Sequence, residues 1–200
     1  MKAVVGIGNP GKEYALTRHN VGFRAIDELA RILRIECDKR RYSSIVGGGG
    51  RKGEKVLLLK PRTYVNLTGK AVRQMADSNS CPVEDILIVC DDFQLPLGVA
   101  RLKPRGSAGG HNGLASVARE LGTTDYPRLR LGIGVEGASR DKDFVLSKFE
   151  NDEQDIVEDM IRRAAEAALC WIDQGIDRAM EICNRKDRRQ ENEQKEEEAT

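Results

Sequence analysis

The apolar positions of this chain follow two rhythms. Short runs rich in Val, Ile and Leu stand at residues 3–7, 55–59, 86–90 and 129–133, and few of them alternate with polar residues. A strand that is apolar at nearly every position is buried on both faces, so these runs predict strands inside a layered sheet. Residues 43–59 read as a hairpin, its bend formed by the glycines at 47–50 and by Lys52-Gly53-Glu54. Residues 99–103 predict one further strand. Helical spacing fills the intervals. Val21, Ala25, Ile26, Leu29 and Leu33 mark one face, with Thr17 or Asn20 as its cap. Ala71, Val72, Met75 and Ala76 mark a second, and Leu114, Val117, Ala118 and Leu121 a third, closed by Gly122. The longest helical pattern covers 152–183, where Ile156, Met160, Ala164, Ala167 and Trp171 share a stripe and Gly175 marks a bend. Strands alternating with helices predict a single α/β domain, three layers deep (α/β/α), around a mixed, largely parallel sheet. That domain is expected over residues 1–183. The charged stretch 184–200 is expected to be a disordered tail.

Composition narrows the picture. Of 200 residues, 40% are apolar and 32% charged, as in ordinary folded proteins exposed to water. No stretch approaches the roughly 20 apolar residues that span a bilayer, and the first strand starts directly after Met1, so a cytoplasmic protein without membrane contact is expected. Cys37, Cys81, Cys90, Cys170 and Cys183 form no C-x-x-C pair, which predicts reduced packing residues and no zinc cage. The net charge of +1 conceals an asymmetry: residues 1–110 carry 19 Lys and Arg against 11 Asp and Glu, and the remainder is acidic. A basic region of this kind steers polyanions such as RNA.

The opening run AVVGIGNPG contains Gly6, Gly8 and Gly11 in the spacing G-x-G-x-x-G, the start of a dinucleotide fingerprint, and Glu36 lies about where a ribose-binding acid belongs. Two features oppose that reading. Pro10 removes a backbone N–H, and the first helical caps come only at Thr17–Asn20, too late for a helix to meet a pyrophosphate at the glycines. A nucleotide-dependent oxidoreductase therefore stays the weaker alternative. The glycines also permit a sharp turn that presents Asn9 at a strand end, where α/β proteins place their sites.

Two histidines limit the choice of a base near neutral pH. His19 and His111 are each followed by Asn, and each stands at the mouth of a predicted helix. Asp91 and Asp92 end the apolar run at 86–90; successive strand residues point to opposite faces, so one of them at most serves a given site. Such an Asp can orient a histidine tautomer. Asn66, in Tyr64-Val65-Asn66-Leu67-Thr68-Gly69, caps a helix or holds a substrate amide. There is no G-x-S-x-G, H-E-x-x-H or P-loop pattern, which leaves water activated by a His-Asp pair, with Asn amides placing the substrate.

Five motifs in order, G-I-G-N-P-G-x-x-Y, T-R-H-N-V-G, Y-V-N-L-T-G, D-D-F-x-L-P-L-G and G-S-A-G-G-H-N-G-L, resemble the bacterial-type peptidyl-tRNA hydrolase family. The resemblance continues through Arg128-Leu129-Arg130-Leu131-Gly132-Ile133-Gly134 and the long C-terminal helix. It implies a phosphorylase/hydrolase-like fold and a monomeric enzyme that cuts the ester between a peptide and the terminal ribose of tRNA dropped from stalled ribosomes, with no metal or cofactor. It further implies that His19 is the base, Asp91 its orienting partner, and Asn9, Asn66 and Asn112 the residues holding the peptide and reacting carbonyl. Tyr14 and Tyr64 are implied substrate contacts, Tyr14 near the acceptor end, and Lys103 and Arg130 are implied to grip the 5′-phosphate. His111 is implied to shape the site through its glycine-flanked turn. Gln94, Cys90 and Val65 depart from the family's common residues, an acid, His and Met. An RNA-binding relative that does not hydrolyse remains the other alternative, against which the joint presence of Asn9, His19, Asp91 and Asn112 counts.

Overall fold

A computed structural model describes residues 1–135 and 142–185. Seven strands, β1 (Lys2–Gly6), β2 (Cys37–Arg41), β3 (Ser44–Arg51), β4 (Glu54–Pro61), β5 (Ile86–Pro96), β6 (Ala100–Lys103) and β7 (Arg128–Gly134), form one sheet in the order β2-β3-β4-β1-β5-β7-β6. The four central strands run parallel, while β2, β3 and β6 add antiparallel pairings at the two sides. The sheet is thus mixed and mostly parallel, as expected.

The period-two geometry of a strand divides its apolar residues between two cores. Val4, Leu58, Leu87 and Val89 pack with α1 (Val21–Leu33) and α5 (Gln154–Gln174). Val5, Leu59, Ile86 and Ile88 face α2 (Thr68–Asn79) and α3 (Asn112–Leu121). Both sides of the sheet are covered, which is why these strands read as continuous apolar runs. α3 ends at Gly122 in the left-handed region, φ 74°. The long helix breaks at Gly175, φ 83°, and resumes as α6 over 176–185.

Several expectations need correction. The glycines at 47–50 are not in the hairpin bend but inside β3, paired with residues of β4, and the turn is Lys52-Gly53. At two of them the lack of a side chain answers a packing demand: a Cβ on Gly47 would stand 2.6 Å from both Cys37 Sγ and Ile35 Cγ2, and one on Gly49 2.8 Å from the Ile35 side chain. β2 has no apolar run to mark it in the sequence, because it is a charged edge strand, a composition that protects an exposed sheet edge. The short α4 (Lys142–Leu146) was also not foreseen. Asn20 and Thr17 hold cap positions but make no side-chain cap bond. Asn184, placed at the head of the expected tail, instead lies within α6 against β6, where its side chain bonds Leu102. The rest of that tail, 186–200, lies outside the described residues. Among the described residues no helix is long and apolar enough to cross a membrane, and all five cysteines are free.

The opening glycines serve helix-to-sheet contact. α1 starts at Val21, far beyond Gly11, and the glycine loop runs only into a three-residue 3-10 turn, Lys12–Tyr14, so the α-helix N-terminus that a pyrophosphate needs is not at the glycines. A Cβ on Gly22 would lie 2.5 Å from the Ile7 carbonyl and 2.7 Å from that of Val89, and one on Gly6 would lie 2.5 Å from the Gly22 carbonyl. These contacts are backbone to backbone and cannot be relieved by a rotamer change. Gly22→Ala is therefore expected to cost about 1–3 kcal/mol by overpacking, read as a lower urea midpoint with an unchanged slope. An unaltered midpoint would show that the helix can shift without loss.

Candidate active site

The carboxyl ends of the parallel strands gather the chemistry-bearing residues, the usual location in an open α/β sheet. β1 leads into Asn9, the distal half of β5 carries Asp91, and β4 leads into the 3-10 turn Val65–Leu67. Asp91 is 2% exposed. A buried carboxylate is tolerable only when donors surround it, and here two imidazoles converge on one oxygen. His19 Nδ1 lies 2.7 Å and His111 Nε2 3.0 Å from Asp91 Oδ1, with the rings tilted at a centroid distance of 5.4 Å. Burial alone would raise the Asp91 pKa, yet the attraction and hydrogen bonds of His111 and His19 outweigh it and hold the carboxyl well below its ordinary range. For His19, burial opposes the charged form, but the charge of Asp91 and its hydrogen bond prevail, so the pKa stands above the ordinary histidine value.

Tautomers follow from the remaining bonds. His111 Nδ1 accepts the N–H groups of Gly113 and Leu114, at 3.0 and 3.3 Å, and thereby caps α3. A nitrogen that accepts carries no proton, so Nε2–H is the donor to Asp91. His19 donates its Nδ1–H to the same oxygen. Of the four imidazole nitrogens only His19 Nε2 has no bond to a described residue. His19, Asp91 and His111 have the composition of a metal site, and their ligand atoms lie within 4.8 Å of one another. The cap argues against that use, because His111 could ligate through Nε2 only by moving its proton to Nδ1, where two N–H groups already point.

Hydrogen bonds tie Asn9 to the segment before α1 and to the turn after β4. The Asn20 side chain accepts from the Asn9 N–H (2.8 Å) and donates to the Asn9 carbonyl (2.9 Å), which binds the glycine loop to the segment that carries His19. Asn9 Oδ1 accepts from the Val65 N–H at 3.2 Å, beside Asn66. This bond leaves Asn9 Nδ2 as a donor without a partner among the described residues. Asn66 and Asn112 are exposed, the latter as the first residue of α3 next to His111. Tyr14 is half-buried on the loop before His19, where its carbonyl accepts from Thr17, and Tyr64 is 62% exposed beside Val65. A cleft of about 310 Å³ opens beside Asn9, between Pro10, Phe23, Arg24, Lys60 and Arg62.

Lys103 and Arg130 lie on β6 and β7, and Arg130 Nη2 donates to the Ala108 carbonyl at 3.4 Å in the loop before His111. Lys103 is exposed. Arg130 forms an ion pair with Asp92, Nε to Oδ2 3.0 Å, so the two adjacent aspartates do serve different partners. Cys90 is not a nucleophile in waiting, since burial and the neighbouring Asp91 push its thiol well up and keep it protonated.

Two supports were not anticipated. Arg18 is buried between the rings of Phe144 and Phe149, at 4.8 and 4.7 Å, with Nη2 2.6 Å from Glu153 Oε2, and its backbone N–H donates to Ser147 O. The residue before His19 is thus fixed by the segment that follows α4. Arg128 donates to the carbonyls of Gly106, Ser107 and Thr124 and ties down the loop that leads to His111. Neither has a signal in periodicity, because a buried arginine breaks an apolar pattern and looks like a surface residue.

Fold and site together define an α/β enzyme of the hydrolase class. A family model described as peptidyl-tRNA hydrolase matches residues 3–193, and the chain belongs to that family. It is 44% identical over 184 residues to the peptidyl-tRNA hydrolase of Syntrophomonas wolfei, covering 92% of this chain and 100% of that one. It is 45% identical over 185 residues to that of Carboxydothermus hydrogenoformans, covering 92% and 99%. The crystal structure of peptidyl-tRNA hydrolase from Acinetobacter baumannii superimposes with a TM-score of 0.85 at 35% identity, covering 92% of this chain and 94% of that chain.

Proposed function

We propose that this protein hydrolyses the ester joining a peptide to the terminal ribose of tRNA, with His19 as the general base and Asp91 as its orienting partner. The observation that carries the reading is the hydrogen-bond arrangement on Asp91 Oδ1, which leaves His19 Nε2 as the one imidazole nitrogen able to take a proton. Nε2 withdraws a proton from water as the water oxygen attacks the ester carbonyl. The resulting imidazolium is stabilised by the buried Asp91 carboxylate. When the tetrahedral intermediate collapses, the C–O bond to the ribose breaks, and the imidazolium returns its proton to the departing ribose oxygen. Asn9 Nδ2 is the donor assigned to the developing oxyanion, with Asn66 and Asn112 holding the peptide. An activated ester needs no covalent nucleophile: a positioned base contributes about 10²–10⁴-fold and an oxyanion donor about 10²–10³-fold.

Tyr14 is assigned to the acceptor end, Tyr64 to contact with the substrate, and Lys103 with Arg130 to the 5′-phosphate. The physiological substrate is peptidyl-tRNA dropped from stalled ribosomes, acted on by a cytoplasmic monomer. A turnover assay on peptidyl-tRNA tests the reading: free peptide and intact tRNA are expected, and binding without cleavage would overturn it. If Lys103 neutralises a phosphate, KM rises with salt and Lys103→Ala lowers the log–log slope by roughly one at unchanged kcat. A slope equal to that of the wild type would remove Lys103 from the interface.

A further inference from the structure

β6 is the outermost strand on its side of the sheet. It is four residues long and antiparallel to β7, with Arg101 opposite Arg130 and Lys103 opposite Arg128. Cross-strand partners share a face, so Arg101, Lys103, Arg128 and Arg130 stand on one side, while Ala100 and Leu102 enter the core shared with α5 and α6. In an antiparallel pair every second residue turns its N–H and C=O away from the neighbour. At Leu102 these groups point out of the sheet, where a strand of one's own or a foreign chain would pair.

The place of that missing strand is taken by one side chain. Asn184, on α6, accepts the Leu102 N–H on Oδ1 and donates Nδ2–H to the Leu102 carbonyl, both at 3.0 Å. An amide is the side chain that offers one donor and one acceptor at this spacing, so it reproduces the paired bonds of a strand neighbour. Beside it, Cys183 Sγ lies 3.7 Å from the Ala100 carbonyl. The fixed residue, Leu102, is the one between Arg101 and Lys103.

We propose that Asn184 is a positioning residue for tRNA phosphate binding: its amide pins the outer edge of β6 and so holds Lys103 opposite Arg128, on the face of the sheet that also carries Arg130. This rests on the assignment of Lys103 and Arg130 to the 5′-phosphate. Asn184→Asp preserves size but sets a carboxylate oxygen against the Leu102 carbonyl, and Asn184→Ala removes the amide without adding charge. Both are expected to raise KM for 5′-phosphorylated peptidyl-tRNA by about 3- to 10-fold, the equivalent of losing one to two modest hydrogen bonds, with kcat unchanged. On the same substrate stripped of its 5′-phosphate they should match the wild type. Hydrogen exchange supplies a readout independent of activity, with faster exchange at the Leu102 amide and retained protection at Leu129 and Leu131. Unchanged KM on the phosphorylated substrate, or equal losses on both substrates, overturns the role of Asn184 alone. A wild type indifferent to the 5′-phosphate overturns the phosphate assignment and this role with it.

Discussion

His19→Ala is expected to lower kcat by about 10²–10⁴-fold while leaving the affinity for tRNA within a factor of a few. The size of the loss follows from what remains. Asn9 keeps its position, because the glycine loop is held by Asn20 and by the Val65 N–H and not by the imidazole. Asp91 keeps one donor, His111, so the buried carboxylate is not abandoned. What disappears is the only nitrogen that can accept a proton from water. Filter binding with the variant and single-turnover cleavage of peptidyl-tRNA separate the two quantities. Added imidazole is expected to restore part of the rate, since the variant vacates the ring's own volume next to Asp91. Activity equal to the wild type would remove His19 from the chemistry, and a parallel fall in affinity would make it a binding residue.

The residue types gathered at the candidate site were legible in the sequence, although the choice of His19 and Asp91 among them came from the family resemblance. A chain with two histidines leaves little choice of base, and the alternation of strand side chains already assigns Asp91 and Asp92 to different partners. The sheet was legible because burial on both faces leaves continuous runs of Val, Ile and Leu that no surface helix shows. What could not be read is cooperation between distant segments. The sharing of one carboxylate oxygen by His19 and His111 depends on β5 and the first turn of α3 meeting, and no spacing rule encodes it. Asn20 was read as a helix cap because Asn before an apolar helix usually is one. Its amide is instead committed to the Asn9 backbone, so a tertiary hydrogen bond displaced the local one. Arg18 and Asn184 illustrate the same limit. Each is a polar residue spent on another element, a use that looks like a solvated face or the head of a loose tail until the partner is seen.

Asp91→Asn separates orientation from simple loss of a contact, and it changes the pH profile in a direction fixed by the physics. In the proposed reaction His19 acts as the neutral base, and its pKa is held above the ordinary value because the Asp91 charge and hydrogen bond overcome a burial effect of opposite sign. Protonation inactivates the base, so the acid limb of kcat/KM, which reports the free enzyme, lies above the usual histidine value of about 6.5. An asparagine at 91 keeps an oxygen for the two N–H donors but carries no charge. Burial then dominates and the limb moves to lower pH. At the plateau kcat is expected to fall by up to about 10⁴-fold, the loss seen where the same exchange removes the carboxylate behind a general-base histidine, because the imidazolium formed in the transition state is no longer stabilised. The two changes oppose each other below neutrality: the variant is poorest relative to wild type at high pH and recovers part of the deficit as the medium is acidified. A limb that stays in place, or moves upward, would show that Asp91 does not set the His19 proton affinity. His19 would then need another partner for its imidazolium, and the bond between Nδ1 and Asp91 would be a structural contact of the loop.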